Sequence, residues 1–209
     1  MGNKIQTTRF IDSSGKVRGV RLVSSTLARS GIDYAHHMVH DGEAYCASIY
    51  EADFDKAEQI GIIFTTPNTN KHLHVMLNVY ASSAALFQIC EAPTMDVGEY
   101  SVTFKKPMNR NRNSSNTSAI RSWRAVPVVG QFSHKVAADA APVTTDGTLV
   151  HSEVIGSGKQ GGGGPTRDTG EFVLKRNTTF YFRLAGTIQG ADGSIASMEL
   201  VWYEHEPIE

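Results

Sequence analysis

Histidine is the side chain in this sequence best placed for chemistry near neutral pH, and eight are present. His72 and His74 are two residues apart in an alternating segment, so a strand would put both on one face. A His-x-His pair can supply two of the three or four ligands that zinc takes, with Asp33, Asp41 or Glu43 to complete the set. Two histidines on the wet face of a sheet need no ligand, so the pair is only a weak metal candidate. His36, His37 and His40 cluster just before the first strand. Gly156-Ser157-Gly158-Lys159-Gln160-Gly161 matches G-x-G-x-x-G, but Gly162-Gly163-Gly164-Pro165 follows and cannot open the helix that a dinucleotide site requires. Glu51, Asp53 and Asp55 alternate as paired carboxylates would in a glycosidase cleft, or as a solvated strand edge does. No Gly-x-Ser-x-Gly elbow is present, and neither Cys46 nor Cys90 has an activating neighbour. The reading is non-enzymatic, with no cofactor, and both cysteines as buried thiols.

Asn109-Arg110-Asn111-Arg112-Asn113-Ser114 is the most polar stretch. Arg and Asn suit phosphate or base contacts, but aromatics for stacking are not interleaved. Bidentate pairing with a partner protein's carboxylates fits the same residues.

The elements that hold these groups are strands. Leu73, Val75, Leu77 and Val79 alternate with His72, His74, Asn78 and Tyr80. Tyr100 to Phe104, Phe180 to Leu184 and Met198 to Trp202 repeat the pattern. Shorter apolar runs lie at Tyr45–Tyr50, Ile60–Phe64, Ala85–Cys90, Ala119–Val129, Thr148–Ile155 and Glu171–Leu174. About ten short strands punctuated by Gly, Pro, Asn and Asp predict an all-β fold, an antiparallel, jelly-roll-like sandwich, over residues 36–209. Residues 1–35 carry Lys4, Arg9, Lys16, Arg18, Arg21 and Arg29 against Asp12 and Asp33. They read as an extended basic arm, either solvated or ordered on a neighbouring subunit.

The formal net charge is only −1 over 209 residues, which argues against a general nucleic-acid binder. No apolar run approaches the length of about 18–20 residues that a bilayer span needs, so no membrane is expected. The sum hides an asymmetry. Tyr100 to Ala138 holds seven basic residues and no acid, whereas beyond Arg183 acids accumulate without Lys or Arg. Opposed patches of this kind steer association between copies, or cancel within one fold.

Several segments in order resemble structural proteins from the virions of tailed bacteriophages. They are His40-Asp41-Gly42-Glu43-Ala44-Tyr45, Thr66-Pro67-Asn68 with His72-Leu73, and the Asn109–Ser114 loop. Gly156–Lys159 with its glycine run, Lys175–Thr179 with Tyr181 and Arg183, and Trp202-Tyr203-Glu204-His205-Glu206 complete the set. The resemblance spans about residues 36–206. It implies a β-sandwich or jelly-roll component of the particle, assembled in the host cytoplasm. A decoration (cement) protein bound to the major capsid protein fits the compact size and mixed charge. A head-fibre, head–tail or tail component that recognises a host glycan through exposed loops, Tyr80 and Tyr203 is the alternative. A dimer or trimer is expected. Expected interface residues are Arg9, Arg18, Arg21, Asn109, Arg110, Asn111, Arg112, Tyr203, Glu204 and His205.

Overall fold

Alternating side chains commit each strand to one wet and one dry face, and two such sheets cover each other's dry faces. A computed structural model describes residues 7–11, 17–21, 34–56, 58–95, 103–123, 128–135, 143–145, 147–155, 170–187 and 194–206. In chain order its elements are β1 (Thr7–Ile11), β2 (Val17–Arg21), α1 (Tyr34–His40), β3 (Ala44–Glu51), β4 (Gln59–Thr65), β5 (His72–Ala81), β6 (Ala85–Glu91) and β7 (Thr94–Met95). Then come β8 (Thr103–Lys105), β9 (Met108–Asn109), β10 (Phe132–Lys135), β11 (Val143–Thr145), β12 (Thr148–Ile155), β13 (Phe172–Leu174), β14 (Thr179–Gly186) and β15 (Ala196–His205).

Eight strands form the body, and their pairing is nested. β6 pairs with β12, β5 with β13, β4 with β14 and β3 with β15, all antiparallel, as in one long folded hairpin. Rolling that hairpin adds the ladders β6–β14 and β5–β15. The resulting orders are β13-β5-β15-β3 and β12-β6-β14-β4, the interleaving of a jelly roll. β9 extends the first sheet beyond β3, and β10 and β8 extend the second beyond β4. The all-β sandwich read from the alternation is therefore the observed architecture.

Between the sheets lies one core that includes Ile62, Phe64, Val75, Leu77, Ile89, Phe182, Leu200 and Trp202. Phe64 stacks on Phe182 at 5.6 Å and on Trp202 at 6.0 Å between ring centres, tying the two sheets at mid-height. The odd residues Leu73 to Val79 all point into this core, while His74, Asn78 and Tyr80 stand on the outer face. β4 is buried on both sides, because Ile63 packs with Cys90, Tyr181 and Trp123 outside the sandwich. Both cysteines are free thiols, and burial pushes that of Cys46 up.

Three local readings change. The described residues of 119–129 form no strand and make only single bridges, Thr65 to Arg121 and Arg121 to Val129. The Ala119 amide is taken by a side chain instead of a ladder. A short helix, α1, precedes β3, although helical periodicity gave no sign of it. Seven residues are too few to show a period, and Met38 is the apolar side chain among them known to be buried. Gly42 ends the helix at φ +73°, with its amide on Val39 and that of Glu43 on Met38. Of the acidic trio, Glu51 ends β3, and Asp53 and Asp55 lie in the turn after it, with Asp53 exposed at φ +60°.

The chain forms two compact units, Met1–His37 and Met38–Glu209. In the first unit β1 and β2 pair from Thr7 with Arg21 to Ile11 with Val17, placing Arg9, Arg18 and Arg21 on one two-stranded ladder. The glycine motif at 156–161 lies outside the described residues.

Candidate functional site

The Asn-Arg-Asn-Arg loop follows β9 and divides its labour by residue type. Asn109 Nδ2 donates to the Gly42 and Asn116 carbonyls at 2.9 and 3.0 Å, while its Oδ1 accepts from the Asn111 amide at 2.9 Å. Asn111 Nδ2 reaches the His40 carbonyl at 2.9 Å, and its Oδ1 accepts the Asn113 amide at 3.1 Å. These are the local side-chain-to-backbone bonds that asparagine makes in turns. Arg110 and Arg112 alternate with them and are exposed, as are Lys105 and Lys106 just before. Among the described residues no salt bridge engages these four cations. The asparagines fix the backbone and the arginines project from it.

The far end of the loop is held from the core. Glu204 continues the inward parity of Leu200 and Trp202, so its carboxylate sits at the end of the sandwich, 1% exposed. It accepts from Ser118 Oγ at 2.5 Å, from the Ala119 amide at 2.9 Å and from Trp202 Nε1 at 3.1 Å. Burial pushes the Glu204 carboxyl up from the ordinary 4.5, and those three bonds and Lys71 pull the other way. Lys71 pairs with Glu43 at 2.7 Å, and Glu43 also accepts from Asn116 at 3.3 Å. Glu204 and Tyr203, expected at an interface, are both buried in the single chain. Three convergent donors offset the cost of desolvating the Glu204 carboxylate and make it a brace.

Tyr203, also expected as an exposed aromatic, is 7% exposed and stacked on His74 at 4.7 Å. It belongs to a row on the outer face of the β5–β15 pair, where His74 is opposite Tyr203 and His72 opposite His205. Tyr203 donates to Glu171 Oε1 at 2.5 Å, and His74 Nδ1 meets the same oxygen at 2.6 Å. His74 Nε2 lies 2.8 Å from His205 Nε2. Burial lowers the His74 proton affinity, Glu171 raises it, and His205 and His72 lower it further. The close histidine partner is thus His205, across the ladder, and not the sequence neighbour His72. Cross-strand register brings them together, which no spacing in the sequence reveals. Among the described residues no group of three or more His, Cys, Asp or Glu side chains is arranged to hold a metal ion.

Further up the same face, Tyr50 and Tyr80 are 59% and 39% exposed and flank Ser197. At the second sheet's edge, β12 pairs, among the described residues, only with β6 and exposes Leu149, Val150 and Val154. Compared with known protein families, curated proteins and solved structures, the chain matches none of them.

Proposed function

We propose that this chain is a non-enzymatic structural protein of a tailed-phage particle, a decoration protein that clamps the head shell. The observation that carries the reading is the asparagine-braced loop presenting Arg110 and Arg112 to solvent. A loop already ordered loses little entropy on docking, and guanidinium forks suit acidic surfaces. The partner is the major capsid protein, through carboxylates on its outer surface. Co-sedimentation with undecorated heads tests this. Reversing both charges (R110E with R112E) should weaken head binding about 100-fold, roughly 2.8 kcal/mol, since like charges then meet across the contact. The melting temperature should hold within about 2 °C, because neither arginine is part of the brace. Undiminished co-sedimentation would remove the loop from the interface.

The contact between copies is assigned to β12. An edge strand with exposed Leu149, Val150 and Val154 offers backbone pairing and apolar area to a second copy. Val154→Lys should shift the protein to monomer in sedimentation equilibrium, and an unchanged mass rules β12 out. A second reading, host-glycan recognition, is favoured by Tyr50 and Tyr80 flanking Ser197. A chain that stays off heads yet binds glycan arrays through those tyrosines takes that reading.

A further inference from the structure

The outer nitrogens of two imidazoles decide what lies between the inner ones. His74 Nδ1 is 2.6 Å from Glu171 Oε1, and His205 Nδ1 is 2.6 Å from the Glu206 carbonyl oxygen. A carboxylate and a backbone carbonyl only accept, so both Nδ1 atoms must carry hydrogen. The Tyr203 hydroxyl, donating to the same Glu171 oxygen, keeps that oxygen an acceptor. A neutral imidazole has one N–H, and therefore each Nε2 is left as a lone pair. The two Nε2 atoms face each other at 2.8 Å. Lone pairs at that distance repel unless a cation lies between them. Either one ring takes a second proton, or both nitrogens bind one metal ion.

We propose that His74 and His205 form a two-histidine site for a divalent transition-metal ion of the zinc, copper and nickel class, held between their Nε2 atoms. The donor set suits that class, because neutral imidazole nitrogen binds all three. The surroundings already have the form of a metal site's outer shell. Glu171 holds the His74 Nδ1 hydrogen as the carboxylate does in carboxylate–histidine–metal arrangements, and a main-chain carbonyl does the same for His205. Tyr203, stacked at 4.7 Å with an interplanar angle of 12°, fixes the plane of the His74 ring. Metal–nitrogen bonds of about 2.0–2.1 Å in a tetrahedron put ligand nitrogens about 3.3 Å apart. The rings therefore open by about half an ångström on binding, and His205, the last residue of β15, is placed to give. The ion enters and the single shared proton leaves. With two protein ligands among the described residues, the other positions take water or a further donor, which makes the site exchangeable. His72 is the nearest further imidazole, stacked on His205 with centroids 6.0 Å apart.

Zinc chloride titrated into the full chain in a non-chelating buffer tests the proposal by calorimetry and long-range proton–nitrogen NMR. One ion should bind per chain. The Nε2 resonances of His74 and His205 should move to the metal-bound range while both Nδ1 atoms keep their hydrogens. His74→Gln and His205→Gln should each weaken binding at least about 10-fold, Glu171→Gln about 10-fold, and His72→Gln less than about threefold. No saturable heat up to millimolar zinc overturns the site. So does binding that leaves the two Nε2 resonances unmoved, which needs only the wild-type chain and stands even if a variant misfolds.

Discussion

Glu204→Ala lowers the unfolding free energy by about 3–5 kcal/mol, read as a reduced urea midpoint at constant slope. Truncation leaves the Ser118 hydroxyl, the Ala119 amide and the Trp202 indole N–H aimed at a space without an acceptor. Each orphaned donor costs about 1–3 kcal/mol, less where water enters. Glu204→Gln keeps the shape but turns an amide NH2 toward some of these donors, so it costs less than the alanine. It also carries the pH signature. In the native state the Glu204 carboxyl keeps its proton above the ordinary 4.5, because burial disfavours the charge. Its contribution to stability is therefore complete below 4.5 and is lost as pH rises from there through the elevated native value. The stability gap between wild type and Glu204→Gln should be wider at pH 4 than at pH 8. A gap that widens with pH would mean that the three donors outweigh burial and hold the carboxylate ionised.

Gly42→Ala costs about 2–4 kcal/mol, and it disturbs the arginine loop from a distance in sequence. At φ +73° a side chain is strained by about 1–2 kcal/mol before any contact is considered. The new methyl would then lie 2.2 Å from Ser114 Oγ and 2.6 Å from Ser114 Cβ. Ser114 must move, breaking its bond to the Asn116 amide, and overpacking of this kind adds about 1–3 kcal/mol. Adding Ser114→Gly to Gly42→Ala should recover the steric part and leave the backbone strain. The recovery is a coupling between residues 72 positions apart, and strict additivity would show that Ser114 is not the obstacle. Head binding should fall with Gly42→Ala as well, because Asn109 hangs on the Gly42 carbonyl.

The sandwich was legible because strand sidedness is local: Leu73, Val75, Leu77 and Val79 declare the dry face by parity alone. The same parity runs on to Glu204, two residues after Trp202, but the acids that accumulate beyond Arg183 read as a contact between copies. The rule that buried carboxylates need convergent donors could not be applied without knowing that Ser118 and Ala119 arrive there. The His74–His205 pair was illegible for a related reason. Register across 131 positions depends on how the nested hairpin rolls, and that is settled by the whole core. In the loop, the alternation of Asn and Arg was visible, and its meaning needed the carbonyls of His40 and Gly42.

The nested pairing also dictates when the molecule can fold during its own synthesis. β15 lies between β3 and β5, and β14 lies between β4 and β6. Both are made after their neighbours, so the first four body strands leave the ribosome with no inner partners. The second sheet cannot close until residue 186 has been translated, nor the first until residue 205, and contacts this distant in sequence form slowly. At about 5–20 residues per second, the interval from β6 to β15 leaves exposed strands waiting for roughly 6–23 seconds. The nascent chain is thus a natural client for a holding chaperone, and collision between neighbouring ribosome-bound chains is the moment of greatest risk for aggregation.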